Sequence, residues 1–385
     1  MKQPFVGWFK TSTDRCMTDG GLLMNQAPTS SDQQRLLLER RQLFHGAALT
    51  AAGFSLPVLL SACGGGGPFP ANPPQWNFVF INHVKDDPFF IPTIYGSQDA
   101  CQTLGCSQPQ WVGAMAGQSQ ATRIPTMLAA FNRAIQDEVD GIAVSIIDPD
   151  KFNDPVVRAL DAGIPVIGYN SDAPPGSGNQ RQAYIGQDLF LSGQVMGKHI
   201  LSLVPTGKIV GFIGSPNDLN TKPRMDGVKQ AMQEAGRLPD FDEHFSDTDP
   251  KVAGQRIDDY YLSHQDVKGL VAVDGSSTAG VAMTMKKHGL SNDNIHAGGY
   301  DLLDDTLQAI QGGYLDFAID QQPYLQGFIP VVQLFLYKVS GGRIQPFDVN
   351  TGIRFISIKE ATQYLALKTR FEGLSEKQQV VPVSS

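Results

Sequence analysis

At 385 residues, 41% hydrophobic and 18% charged, the chain has the balance of a folded protein with room for two domain-sized cores, which excludes a largely disordered polymer. The formal charge is −8; residues 1–62 hold six Lys/Arg and four Asp/Glu, leaving 24 basic and 34 acidic residues beyond them, a net −10. With that surface, no run of five basic residues and no zinc-type Cys/His spacing, nucleic acid is excluded as a partner.

The amino end reads as an address. Arg40-Arg41-Gln42-Leu43-Phe44 precedes the run from Gly46 to Leu60, and after Arg41 the next charged residue is Lys85. A charged segment followed by an uncharged, moderately apolar one is the pattern of an export signal. The paired arginines resemble a twin-arginine signal, and Leu60-Ser61-Ala62-Cys63 resembles a bacterial lipobox with Cys63 as the lipid-bearing residue. A retained membrane helix is the weaker reading, because the run is rich in Gly and Ala, is broken by Pro57 and falls short of the ~20 residues a span needs. The arginines stand far from Met1, and Met24 is an alternative start. Gly64 to Gly67 with Pro68, Pro70, Pro73 and Pro74 read as a tether over 64–75. The chain is therefore expected to be exported to the periplasm or cell surface and lipid-anchored, with 1–63 as the signal region.

With Cys63 taken by lipid and Cys16 in the removed segment, Cys101 and Cys106 remain. In an oxidising compartment they are close enough to bridge across a helix end and the following loop, two buried free thiols being the alternative. Two cysteines without neighbouring histidines imply no metal, and no cofactor motif is present.

From Asn77 onward, short β-branched or aromatic runs alternate with helical segments. Strands are expected at 77–82, near 110–113, at 141–147 and at 164–169, with helices over 89–104, 120–136 and 151–162. The run Gly141 to Ile147 is almost wholly apolar, as a strand buried on both faces must be. The rhythm restarts with strands at 208–213, near 241–245, at 269–273 and near 295–299, and helices over 222–236, 250–263 and 277–288. Such alternation predicts parallel sheets covered by helices on both sides, and two series predict two doubly wound α/β lobes.

In open α/β sheets ligands gather beyond the carboxyl ends of the strands. The polar residues there are His83 to Phe90, Asp148, Asn170-Ser171-Asp172, Asn217 to Arg224, Asp274 to Ser277, and Asp301. The stretch Ile319-Asp320-Gln321-Gln322-Pro323 adds a further group where a strand ends. Any one of these has an ordinary explanation as a helix cap or turn. Together, Asp, Asn, Gln and Arg at so many exits exceed what capping requires. His83 is open between a ligand contact and a satisfied structural histidine.

Asp87-Pro88-Phe89-Phe90 after the first strand, Gly163 to Ile167 leading into Asn170, and Gly298-Gly299-Tyr300-Asp301 resemble the type I periplasmic binding proteins of the ribose-binding kind, solute receptors of sugar ABC importers. The resemblance covers roughly residues 76–360. It implies two doubly wound parallel-sheet lobes joined by a three-segment hinge, with crossings near Gly186, Gln321 and Thr351-Gly352. The N-terminal lobe would be 76–186 plus 322–351 and the C-terminal lobe 187–321 plus 352–385. It implies Phe89 and Phe90 as aromatics stacked on a sugar ring, with Asp87, Asn170, Asp172, Asn220, Arg224, Asp274, Asp301 and Gln321 as polar contacts, Lys222 being an equally good register match for the second-lobe cation. Sugars present apolar C–H faces and polar edges, which aromatic plates, amides, carboxylates and guanidinium groups match. Where ribose receptors carry Asp-Arg after the fourth strand this chain has Asn170-Ser171, and where they carry an asparagine it has Asp274-Gly275, so the ligand need not be ribose.

The resemblance implies a monomer that binds a monosaccharide or similar polyol, closes on it, and delivers it to the membrane permease of an ABC importer, without catalysis. A lipoprotein that presents its ligand to a membrane signalling protein is an alternative. A carbohydrate-active enzyme is another, since Asp87 and Asp301 could flank a cleft, but no Gly-x-Ser-x-Gly, phosphate-loop or His-Glu-x-x-His motif supports chemistry. A sugar-responsive regulator would carry a helix-turn-helix where this chain carries Arg40-Arg41 and Cys63.

Overall fold

The computed structural model describes residues 74–291, 294–378 and 380–381. The export signal, Cys16, the lipobox at Cys63 and most of the tether lie outside the described residues.

Strands β1 (Phe78–Asn82), β2 (Gln110–Gly113), β3 (Gly141–Val144), β4 (Val166–Tyr169), β5 (Ala183–Gly186) and β11 (Val349–Asn350) form one parallel sheet in the order β11-β5-β4-β3-β1-β2. A second sheet has the order β12-β10-β9-β8-β6-β7, from β6 (Lys208–Ile213), β7 (Phe241–Phe245), β8 (Val267–Ala272), β9 (His296–Tyr300), β10 (Phe317–Asp320) and β12 (Arg354–Ile356). The two orders are the same, so β6 stands where β1 does and β9 where β4 does. Only the edge strand differs, β12 being antiparallel to β10.

The helices are α1 (Ile91–Leu104), α2 (Gln120–Gln136), α3 (Pro149–Asp161), α4 (Leu189–Leu203), α5 (Lys222–Glu234), α6 (Pro250–Ser263), α7 (Gly275–Lys287), α8 (Asp304–Gln311), α9 (Pro323–Val339) and α10 (Ile358–Leu367). Each central strand is buried on both faces, and its alternate residues feed opposite cores. In β1, Val79 and Ile81 pack with Met127 and Phe131 of α2 and Phe152 of α3, while Phe78 and Phe80 pack with Leu334 and Phe335 of α9. In β6, Val210 and Phe212 meet Ile257 of α6 and Met285 of α7, while Ile209 and Ile213 meet Ile200 of α4 and Met225 of α5.

The chain passes from the first sheet to the second after β5, returns after β10 into α9, and passes again between β11 and β12. These strands are tied together. Gln187 donates to the Gly352 carbonyl (3.1 Å), Gln322 to the Thr351 carbonyl (2.5 Å), and the Thr351 hydroxyl to the Gln321 carbonyl (2.8 Å).

Some boundaries move from the sequence expectation for local reasons. The third strand stops at Val144: the Ser145 N–H still closes the ladder to the Ile81 carbonyl, but the Ile146 N–H turns to the Ser171 carbonyl, beyond the end of β4. Cys101 and Cys106 are not bridged: both are buried free thiols in hydrogen-bond contact, where left-handed Gly105 (φ 78°) folds the chain back over the end of α1.

Candidate functional site

The carboxyl ends of both sheets face a shared cavity of about 300 Å³. From the first lobe, Asp87 accepts the Phe89 N–H (2.9 Å) and opens a single 3-10 turn whose next residue, Pro88, has no N–H to leave unpaired. That turn sets the Phe89 and Phe90 rings perpendicular, with centroids 4.8 Å apart. Phe90 also stands edge-on to the His83 ring (5.5 Å), and all four side chains line the cavity. His83 meets the Ser145 hydroxyl through Nδ1 (2.8 Å). Burial, with the Arg123 charge nearby, lowers its pKa to about 3, so the imidazole is neutral.

At the exit of β4, Asn170 adopts the left-handed conformation (φ 62°), where Asn and Asp are tolerated better than other side-chain-bearing residues. Its Nδ2 donates to Gln326 Oε1 (3.1 Å), and Gln326 in turn donates to the Gln321 carbonyl (3.1 Å).

The second lobe supplies Arg224 and the carboxylates around it. Gly193 of α4 lies so close to the Arg224 backbone that a Cβ there would sit 1.9 Å from its carbonyl oxygen, and this approach seats Arg224 at the third position of α5. The guanidinium stacks 4.2 Å from the Tyr300 ring centroid, donates to the Val273 carbonyl (3.1 Å) and donates to Gln321 Oε1 (2.5 Å). Gln321 then donates through Nε2 to Asp301 Oδ1 (2.5 Å). Asp301, at the exit of β9, is also left-handed (φ 74°). Burial raises its pKa to about 7 against the opposing pull of Arg224, with Asp87 and Asp274 adding to the rise.

Asp274 caps α7, accepting from Ser277 N (2.8 Å), Ser277 Oγ (2.8 Å) and Gly214 N (2.7 Å). Its pKa is raised chiefly by burial, as is that of Asp87. Asn220 lines the cavity with a buried Oδ1 that has no partner. Both Asp274 and Asp87 thus double as caps, the ordinary explanation for an acidic residue at a strand exit.

Of the residues singled out in the sequence, His83, Asp87, Phe89, Phe90, Asn170, Asn220, Arg224, Asp274, Asp301 and Gln321 all line this one cavity. Asp172 does not. Both of its oxygens are held by the Arg181 guanidinium, so here it is an ion-pair partner outside the cavity lining. Asp320, one residue before Gln321, accepts the Gln322 N–H (2.7 Å) and closes the turn into α9.

The structure adds Arg123 and singles out Asp218 from the stretch Asn217 to Arg224. Arg123 of α2 and Asp218 of the loop after β6 both line the cavity and pair with each other across the lobes, Nη1 to Oδ2 at 3.3 Å. Arg123 escaped a search of strand exits because it lies in the first turn of a helix. The available signal is a charge at the head of the buried stripe Met127, Phe131 and Ala134. The lining carries five carboxylates, Asp86, Asp87, Asp218, Asp274 and Asp301, against Arg123 and Arg224. Among the described residues no group of His, Cys, Asp or Glu is placed to hold a metal ion.

Comparison with known proteins gives a consistent result. A periplasmic binding protein domain is matched over residues 78–341. The chain is 43% identical over 314 residues to the xylose/arabinose-binding protein XylF of Sulfolobus acidocaldarius, covering 78% of this chain and 76% of that protein. Among solved structures, an ABC transporter solute-binding protein of Burkholderia graminis in complex with D-arabinose aligns with a TM-score of 0.67 at 24% identity, over 75% of this chain and 98% of that one. A solute-binding protein of Agrobacterium vitis bound to α-D-tagatopyranose aligns with a TM-score of 0.66 at 23% identity, over 77% and 99%.

Proposed function

The chain belongs to the periplasmic binding protein family, as an exported sugar-binding protein of the ABC-transporter kind, and on that premise we propose that it takes one neutral monosaccharide, an aldopentose of the xylose or arabinose type in preference to a hexose or polyol. The observation that carries this reading is the chain of hydrogen bonds Arg224–Gln321–Asp301 lying in the same cavity as the Phe89 and Phe90 rings. The rings suit a sugar's C–H face, and the bonded amide, carboxylate and guanidinium suit its hydroxyl edge. The excess of carboxylates over guanidinium groups disfavours a phosphorylated or otherwise anionic ligand. The likeness to a xylose/arabinose-binding protein supports the pentose.

In this reading the carboxylates bind and do not react. Asp274 is committed to Gly214 and Ser277, and Asp301 to Gln321. The monomeric protein, anchored through Cys63, presents its closed form to a membrane permease. Closure joins two lobes that already share three tied crossings, so a ligand touching both walls shifts the population toward the closed state.

A thermal-shift and calorimetric panel on the purified protein tests the reading with D-xylose, L-arabinose, D-glucose, myo-inositol, amino acids and nucleosides. A pentose at 100 times its Kd should stabilise the protein by about 2.7 kcal/mol through mass action. A response to an amino acid or nucleoside, with none to any carbohydrate, would overturn it.

A further inference from the structure

The space between the lobes continues past the site. Beyond Arg123 lies a second, more open hollow of about 450 Å³. Gly117, Gln118, Arg123, Gly214, Ser215 and Thr248 line both spaces, and Arg123 is the one charged residue among them. Its guanidinium reaches from the first lobe to Asp218 of the second (3.3 Å), with both side chains almost wholly buried. Asp218 lines only the inner space, so the ion pair meets the boundary through Arg123.

The outer hollow has the makings of a carbohydrate subsite. Phe245 on its wall is 44% exposed, and the Arg256 guanidinium, paired with Asp247 (3.3 Å), covers one face of its ring 4.6 Å from the centroid. Asn217, Ser119 and Asp247 supply polar groups around it. An aromatic plate edged by amide, hydroxyl and carboxylate is the same pairing found in the inner site.

We infer that the Arg123–Asp218 pair sets ligand length: the outer hollow is a latent subsite for a second sugar ring, and the pair bars a glycosidic linkage from joining the two spaces. A disaccharide would have to part the pair to pass. That leaves a buried carboxylate without its cation and Arg123, whose Nε already has no partner, without its anion. Separating a buried pair is among the most costly local changes, whereas stacking one ring on an exposed aromatic returns less. Selection for a single ring then follows from the cost of opening the boundary, not from the shape of the inner site.

This inference rests on the sugar reading of the inner site. The test is calorimetry on the wild-type protein, Arg123→Ala and Asp218→Ala with D-xylose, L-arabinose and D-glucose, and with the β-1,4-xylobiose, α-1,5-arabinobiose and cellobiose that extend them. The wild-type protein should bind a monosaccharide at least 100-fold more tightly than its disaccharide. Either variant should raise the ratio of disaccharide to monosaccharide affinity about 100-fold, and the second variant serves where the first fails to fold. Variants that bind the monosaccharide and still reject every disaccharide overturn the inference alone. So does wild-type protein that binds both equally, or a pair of folded variants that bind no sugar. If the wild-type protein binds none of the six, the sugar reading falls and the inference with it.

Discussion

The two lobes are built to one plan, and the equivalent exits of β4 and β9 show how far the likeness goes. Asn170 and Asp301 are both left-handed, and each donates its backbone N–H to the next strand, to the Ile185 and Ile319 carbonyls (3.2 and 3.1 Å). Each side chain is bonded to a glutamine, Gln326 or Gln321. The difference lies in the exit residue itself, an amide in one lobe and a carboxylate in the other, and in what surrounds it. The first-lobe wall combines two aromatic rings, a neutral histidine and an amide with Asp86, Asp87 and Arg123; the second-lobe wall centres on Arg224 with Asp274 and Asp301 buried around it. The plan dictates where a side chain stands and in which conformation, and the residue type decides whether that place holds a hydrogen bond or a charge. One wall leads with aromatic plates, the other with a bonded ionic network in which Arg224 Nε still lacks a partner.

The largest test of that contrast compares Arg224→Ala with Phe90→Leu by titration calorimetry. Truncating Arg224 leaves Gln321 and two buried carboxylates without their cation, which should weaken sugar binding by about 2–5 kcal/mol, roughly 30- to several thousand-fold. Replacing an aromatic plate by an aliphatic one of similar volume should lose only about 0.5–1.5 kcal/mol. Equal losses would mean that the walls share the work and that the contrast is structural only.

A smaller effect separates the lobes by pH. The Asp301 pKa stands at about 7, above the unfolded carboxylate value near 3.9. The folded state thus keeps a proton that the unfolded state has released, and stability from this group falls as pH rises from about 4 to about 7. Asp301→Asn makes the second-lobe exit match Asn170 and removes that fall. Denaturation of the sugar-free proteins between pH 4.5 and 8 should show the variant gaining on the wild-type protein as pH rises, by at most a few kcal/mol. Because Asp87 and Asp274 are also raised by burial, the decisive quantity is the difference between the two curves. Parallel curves would place the titration elsewhere.

What the sequence made legible follows from the same physics. Strands buried on both faces announce themselves as apolar runs, and polar residues immediately after such runs, from His83 to Gln321, have few places to go but the carboxyl end of the sheet. Two kinds of information stayed hidden. Arg123 reaches the cleft from a helix, and its partner Asp218 becomes special only when the lobes face each other. Asp172 shows the converse: its place after β4 matches that of a ligand residue, but Arg181, nine positions later, folds back on it. Long-range pairing of side chains leaves no periodic trace. Nor does the choice between a thiol pair and a bridge at Cys101 and Cys106, which the five-residue spacing permits equally.

Asp172→Asn gives the smallest expected effect and isolates position from contact. Asp172 lies one residue beyond the buried Ser171 and outside the cavity lining, and its carboxylate meets Arg181 through both oxygens. The pair is only partly buried, with side-chain exposures of 19% and 16%, and Arg181 keeps Asp348 at 3.3 Å when Asp172 loses its charge. The loss should therefore be about 1 kcal/mol of stability, read as a fall in Tm of about 2–4 °C. Sugar affinity should stay within about twofold, because neither Asp172 nor Arg181 reaches the cavity and Asn170 is held from its other side by Gln326. A tenfold loss of affinity at unchanged Tm would put Asp172 in contact with ligand in the closed state, and would add a ligand-touching charge at the exit of β4.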